Sequence, residues 1–101
     1  MDKDEVKQKI LRAIENEPMR GSIKKASLFG SFLHGSQTQD SDIDVLIEFK
    51  PETEIGFFEF ARIQRRLGEF MGRKIDLLTY DSLSKFFRGK VIGESEVIYE
   101  G

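Results

Sequence analysis

The sequence predicts an α/β fold, a small mixed β-sheet flanked by helices, and three observations carry that reading. Short strand-type runs occupy Ile23–Phe29, Ile43–Phe49 and 74–79. Segments with apolar residues at helical spacing, 4–15 and 55–71, stand before and between them. The resulting order is helix, strand, strand, helix, strand, helix, strand, which calls for helices packed on a mixed sheet.

The elements follow in chain order. Residues 4–15 place Val6, Ile10, Leu11 and Ile14 on one helical face, and Asp2 with Glu5 resembles a capping box. Pro18 and Gly21 end this helix. The first strand, Ile23–Phe29, closes at the Gly30-Ser31 turn. A short helical turn is expected over 32–35, ended by Gly35, and 36–41 is polar and reads as a loop. In Ile43–Phe49, Ile43, Val45, Ile47 and Phe49 share one face, while Asp42, Asp44, Leu46 and Glu48 share the other. Lys50-Pro51 stops the strand. The helix over 55–71 is expected to turn Phe57, Phe58, Ala61, Leu67 and Phe70 to the core, with Gly72 at C′. The strand over 74–79 sets Ile75 and Leu77 against Asp76 and Leu78. A last helix is predicted over 82–92, capped by Asp81 or Ser82, and Val97-Ile98-Tyr99 adds a short strand.

The bulk numbers bound the function. The 101 residues suit one domain, 1–101, with 39% hydrophobic residues, including nine Phe, to form its core. No apolar run approaches the ~20 residues of a membrane span, and no signal-type segment follows the charged N-terminus. The chain has no cysteine, hence no disulfide framework or thiolate metal site. A cytoplasmic protein is the simplest reading. A net charge of −2 with interleaved signs argues against nucleic acid as the primary partner. A mononucleotide or a protein surface fits better.

The chemistry sits at the turn and at the acidic strand. Residues i and i+2 of a strand point the same way, so Asp42 and Asp44 present paired carboxylates. Like charges held together need a cation or protons to neutralise them, and hard cations such as Mg²⁺ take oxygen ligands. If the strand bearing Asp76 is a neighbour in register, a third carboxylate lies roughly 5 Å across the sheet. Three such carboxylates can hold two Mg²⁺ ions. Gly30 allows the backbone to approach phosphate oxygens, and Ser31 adds a hydroxyl donor. Each piece has an ordinary alternative: a lone Asp-x-Asp is common in a chain with seven Asp, and Gly-Ser is commonly a plain turn. Two other motifs fail. Asp40-x-Asp42-x-Asp44 lacks the Gly and Glu of a calcium-binding EF loop, having Val45 and Pro51 there. Gly30-x-x-x-x-Gly35 continues with Ser36-Gln37, not the Lys-Ser/Thr of a P-loop.

Leu28-Phe29-Gly30-Ser31, Gly35, the run from Ser41 through Asp42 and Asp44 to Ile47, and the run from Lys74 through Asp76 to Thr79 together resemble the minimal nucleotidyltransferases of the DNA polymerase β-like superfamily. The resemblance spans about residues 22–99. It implies a polymerase β-like fold and transfer of a nucleoside monophosphate, commonly AMP from ATP, to a hydroxyl. It implies that Asp42 and Asp44 bind two catalytic Mg²⁺ ions, that Asp76 completes the metal site and helps deprotonate the acceptor, and that Gly30 and Ser31 hold the triphosphate. Stand-alone proteins of this size resemble antitoxins paired with a helical HEPN toxin, some of which AMPylate the toxin. One departure stands out. Family members often read Gly-Ser-Arg-x-Arg-Gly, and Phe32 and His34 replace the two Arg here.

Three readings of function follow. The first is Mg²⁺-dependent AMP transfer to a hydroxyl of a partner protein, as the antitoxin of a HEPN pair. The second is a non-catalytic module that neutralises the toxin by contact, motivated by Phe32 and His34. The third is a small-molecule, antibiotic-type nucleotidyltransferase, which usually needs a second domain. So small a chain leaves the acceptor surface to a second copy or another protein. Phe57, Phe58, Phe60 and Phe70, with Phe86 and Phe87, belong by default to the core, or else face a base or a partner. Arg62, Arg65 and Arg66 read by default as a solvated face, or else meet an acidic partner, and Arg73-Lys74 with Lys85, Arg88 and Lys90 read as candidate phosphate cations.

Overall fold

A computed structural model describes residues 3–30 and 42–101. Helix α1 (Lys3–Glu15) leads through a 3₁₀ turn (Arg20–Ser22) into β1 (Ile23–Phe29). Then come β2 (Ile43–Phe49), α2 (Phe57–Met71), β3 (Ile75–Thr79), a second 3₁₀ turn (Tyr80–Ser82), α3 (Lys85–Glu94) and β4 (Glu96–Glu100). The sheet order is β3-β2-β1-β4. β1 runs antiparallel to β2 and to β4, whereas β2 and β3 are parallel. Parallel neighbours need a crossover, and α2 supplies it. The mixed sheet with flanking helices expected from the sequence is therefore present. The expected turn at 32–35, the loop at 36–41 and the cap at Asp2 lie outside the described residues.

One face of the sheet carries the core. Ile23, Ala26 and Leu28 of β1, Ile43, Val45 and Ile47 of β2, and Ile75 and Leu77 of β3 are buried there. Val6, Ile10, Ala13 and Ile14 of α1 and Ile63, Leu67 and Met71 of α2 cover them. Two expectations need correction. In α1, Ala13 rather than Leu11 completes the buried stripe, and Leu11 is half-buried. In α2, Leu67 alone of the five expected core residues is buried; Phe57, Phe58, Ala61 and Phe70 are exposed. The buried stripe follows Ile63, Leu67 and Met71 at i, i+4 and i+8, with Phe60 packing edge-on against Phe49. Aromatic size does not choose the face; the spacing that meets the sheet does.

The last helix also starts later than expected. Ser82 turns its hydroxyl to the Thr79 carbonyl (2.8 Å), closing the 3₁₀ turn, and Ser84 caps α3 by accepting from Phe86 N (3.3 Å). Helix α2 ends where Gly72 adopts the left-handed conformation (φ 68°).

Three sets of polar contacts lock the layers. Glu17 is 2% exposed, and a carboxylate so placed needs full pairing. Arg66 donates to both of its oxygens (2.5 and 3.0 Å), and Met19 N donates to Oε2 (2.6 Å), tying the end of α1 to α2. Arg66 is thus a structural clamp rather than part of a solvated face. At the outer edge of the sheet, Leu77 N of β3 donates to the Gln64 side-chain carbonyl (3.0 Å). Glu96 of β4 accepts from Lys3 (2.9 Å) and Lys7 (3.3 Å) of α1.

Arg66→Ala leaves the Glu17 charge buried without its partner and should lower the unfolding free energy by roughly 3 kcal/mol. Arg65→Ala, which removes only an exposed pair with Glu69, should change it by less than about 0.5 kcal/mol. Urea denaturation of both variants checks the contrast.

Candidate active site

Three strand ends meet at one rim of the sheet. β1 ends at Phe29, while β2 and β3 begin at Ile43 and Ile75. The antiparallel pairing sets Phe29 opposite Asp44, and the parallel pairing sets Asp76 opposite Asp44 on the other side. Asp44 therefore occupies the middle of the rim, on the face of β2 away from the core. Asp42, two residues earlier, precedes the strand, and Ile43 N donates to the Lys74 carbonyl (3.1 Å), which aligns the starts of β2 and β3.

Gly30 follows β1 with φ 85°, a conformation that favours glycine. A second constraint acts at the same residue. A Cβ there would run into Asp44 Oδ2, with Asp44 Cγ at 3.1 Å and Cβ at 3.2 Å. The sequence reading gave Gly30 the task of approaching phosphate; the structure adds that it makes room for the central carboxylate. A glycine closing the strand opposite an Asp-x-Asp strand was the available signal. Ser31, Phe32 and His34 lie outside the described residues.

The electrostatics are those of like charges crowded together. Burial holds the Asp44 carboxyl above its ordinary pKa, and the charges of Asp76 and Asp42 push the same way. Asp76 is raised by burial, then by hydrogen bonding with Asp42 and by its charge; Lys74 opposes this. Lys74 Nζ lies 3.5 Å from Asp42 Oδ2. Among the described residues it brings a positive charge to the rim, where the sequence left it unplaced. Among the described residues, no three His, Asp or Glu side chains are already gathered as a metal-coordinating cluster. The donor set nonetheless suits a hard divalent cation: carboxylate oxygens from adjoining strands, those of Asp44 and Asp76 raised in pKa first by burial and then by the neighbouring carboxylates, beside a backbone cleared of side chain.

Behind the rim on the same face, Tyr80, Ile92 and Ser95 wall a small pocket over Lys25, Ser27, Leu46 and Glu48. Arg88 lays its guanidinium on the Tyr80 ring (4.7 Å) and donates to the Leu83 carbonyl (3.2 Å). No helix among the described residues is long and apolar enough to cross a membrane.

Comparison with known proteins bears on the family and the fold. A protein of Methanocaldococcus jannaschii, named provisionally as a protein adenylyltransferase, is 30% identical over 94% of this chain and 96% of its own length. The protein adenylyltransferase MntA of Thermococcus cleftensis is 28% identical over 79% of this chain and 77% of its own. Among solved structures, a minimal nucleotidyltransferase superposes with a TM-score of 0.74 at 24% identity, covering 98% of this chain and 96% of that one. A toxin–antitoxin structure with AMP-PNP superposes with a TM-score of 0.73 at 20% identity, covering 94% of this chain and 73% of that one. Both show the same fold. The profile of the polymerase beta nucleotidyltransferase domain matches residues 8–101, and with it the chain belongs to the nucleotidyltransferase family of polymerase β type.

Proposed function

We propose that this chain transfers AMP from ATP to a hydroxyl of a partner protein, and that the partner is of HEPN type. The observation that carries the reading is Asp44 held between Asp76 on the neighbouring strand and Gly30 at the end of β1, with Asp42 beside them. The names of the relatives support the acceptor class. So does a structural neighbour described as a tri-AMPylated HEPN toxin of Shewanella oneidensis in complex with its MNT antitoxin.

In the transfer, the acceptor oxygen bonds to the α-phosphorus and the bond to the β-phosphate oxygen breaks, releasing pyrophosphate. Asp42, Asp44 and Asp76 would hold Mg²⁺, two ions on the family pattern, which when bound neutralises the carboxylates and the triphosphate. Gly30 keeps the floor of the site open, and Ser31, next in sequence, offers a hydroxyl to phosphate. Asp76 stands at the rim on the strand beside Asp44, where the family pattern gives it the acceptor proton to receive. Lys74 is near enough to exchange Asp42 for a phosphate oxygen. A second reading, toxin neutralisation by contact alone, is favoured by Phe32 and His34 standing where relatives often have Arg.

Transfer of labelled AMP to a co-purified HEPN-type partner should fall by at least about a hundredfold in Asp44→Ala. Equal transfer by both proteins refutes the assignment; neutralisation surviving Asp42→Ala and Asp44→Ala without transfer favours the contact reading. Gly30→Ala should lower transfer by a similar factor of about 10² while the core stays folded, because the new methyl displaces Asp44; circular dichroism checks the fold.

The raised carboxyls also set a pH dependence. A carboxyl whose folded pKa exceeds its unfolded value favours the folded state below the unfolded pKa, and that stability is lost as pH rises through the folded value. Asp44 and Asp76 therefore weaken the metal-free protein at neutral pH. Asp44→Asn should raise the melting temperature of the metal-free protein at pH 7.5. Mg²⁺ should stabilise the wild type more at pH 7.5 than at pH 4.5, and the variant less than the wild type at pH 7.5. Thermal melts with and without EDTA measure all three.

A further inference from the structure

The face of the sheet away from the core holds a group that the acidic rim does not use. Ser27 of β1 lies between the core residues Ala26 and Leu28, so its side chain points to the other face. It is nevertheless only 3% exposed, and its hydroxyl has no hydrogen-bond partner among the described residues. A hydroxyl donates once and accepts twice, and burying it unpaired is costly, so the position calls for an explanation. Ser27 opens into the pocket of about 150 Å³ walled by Tyr80 and Ile92. Strand pairing sets Ser27 opposite Leu46 and Lys25 opposite Glu48, and these four side chains form the pocket floor. A cavity of this volume takes a ring of about the size of benzene.

The lining selects a flat ring with a polar edge. Arg88, stacked on the Tyr80 ring and tied to the Leu83 carbonyl, holds the tyrosine wall in place before any ligand arrives. Leu46 and Ile92 present aliphatic surface, against which an aromatic ring packs. Ser95 spends its hydroxyl on the Ile92 carbonyl (2.9 Å), which leaves that of Ser27 to meet the edge of a ligand. Lys25 adds a donor and Glu48 an acceptor. A phosphate would be repelled by Glu48, and a purely apolar ring would leave Ser27 unpaired. A nucleobase, whose rim carries ring nitrogens and amino or carbonyl groups, meets both conditions.

Strand register ties the pocket to the rim. Phe29 faces Asp44, and Ser27 faces Leu46 two residues further along the same face, a step of roughly 7 Å. Gly30 lies the other way, past the end of β1. A nucleotide with its α-phosphate at Asp44 and its outer phosphates towards Gly30 therefore sends its ribose back over the sheet, and its base arrives over Ser27. We propose that the pocket between Ser27, Leu46, Tyr80 and Ile92 is the subsite for the base of the nucleotide, with the Ser27 hydroxyl bonded to the edge of the ring; the proposal takes the place of the phosphates from the AMP-transfer reading, while the pocket rests on its own geometry. Ser27 and Tyr80 serve binding alone, so their loss raises KM for ATP and leaves kcat in place.

The test is calorimetric titration of the full chain, in Mg²⁺, with ATP and with tripolyphosphate, which carries the phosphates without the nucleoside. The wild type should bind ATP at least about tenfold more tightly than tripolyphosphate. Ile92→Trp fills the pocket from the last turn of α3 and should weaken ATP binding by about thirtyfold, with tripolyphosphate changed by less than about twofold. Tyr80→Ala should weaken ATP by about tenfold and Ser27→Ala by about fivefold, again without effect on tripolyphosphate. Unchanged melting temperatures confirm that the variants fold. A wild type with equal affinity for the two ligands, or with none for ATP, overturns the subsite. So does ATP affinity that Ile92→Trp and Tyr80→Ala leave unchanged; if the acceptor KM rises instead, the pocket takes an acceptor side chain. Tripolyphosphate lost in step with ATP overturns it in favour of a distorted phosphate site. Ser27→Ala without effect on ATP overturns the hydroxyl contact. Labelled AMP transfer that survives Asp44→Ala sinks the AMP-transfer reading, and a thirtyfold loss of ATP affinity confined to Ile92→Trp and not shared by tripolyphosphate still supports the subsite.

Discussion

The parallel pairing of β2 with β3, in the register that sets Asp44 against Asp76, is the constraint from which the site follows. A shift of one residue would turn Asp76 towards the core and Ile75 or Leu77 towards solvent. The apolar alternation that buries Ile75 and Leu77 therefore also fixes where the third carboxylate points. Folding energy and site geometry are specified by the same five-residue strand. The crossover helix enforces the arrangement from outside, since α2 must begin after β2 and deliver the chain back to the start of β3, and Arg66 on Glu17 holds it in place.

The cost of the arrangement is electrostatic. Three carboxylates share one rim, and among the described residues the exposed Lys74 pairs with one of them, Asp42. Such a site is destabilising when bare and becomes favourable with a ligand that brings positive charge. Gly30 belongs to the same balance. It lets the Asp44 carboxylate lie close against the end of β1, where any side chain would push it out of line with its neighbours.

Much of this was legible in the sequence, for identifiable reasons. β1 and β2 were placed at their observed bounds because each is a short apolar run stopped by a glycine turn or by Lys50-Pro51. The Asp42/Asp44 pairing follows from strand period alone, and the place of Asp76 needed only one further condition, a neighbouring strand in register. The face of α2 was misread because phenylalanines were weighted by size. Ile63 and Met71, at the spacing that meets the sheet, are the residues that bury, and Phe57 and Phe58 fall on the far side. The Glu17–Arg66 clamp joins residues forty-nine apart, and no local pattern marks such a pair. The start of α3 depended on how two serines divide their hydrogen bonds: Ser82 turns to the chain behind it, which leaves Ser84 to cap.

The contact between Gln64 and Leu77 N has a consequence for assembly. An outer strand with unsatisfied amides is a template onto which a foreign strand can add. On β3, the strand that carries Asp76, a side-chain carbonyl from the crossover helix occupies one of those ladder positions, so annealing along that margin meets a blocked rung. β4 forms the opposite margin, two strands away from β2 and its carboxylates. Any sheet continued from one molecule into another would thus grow from the β4 side and leave the acidic rim open to solvent.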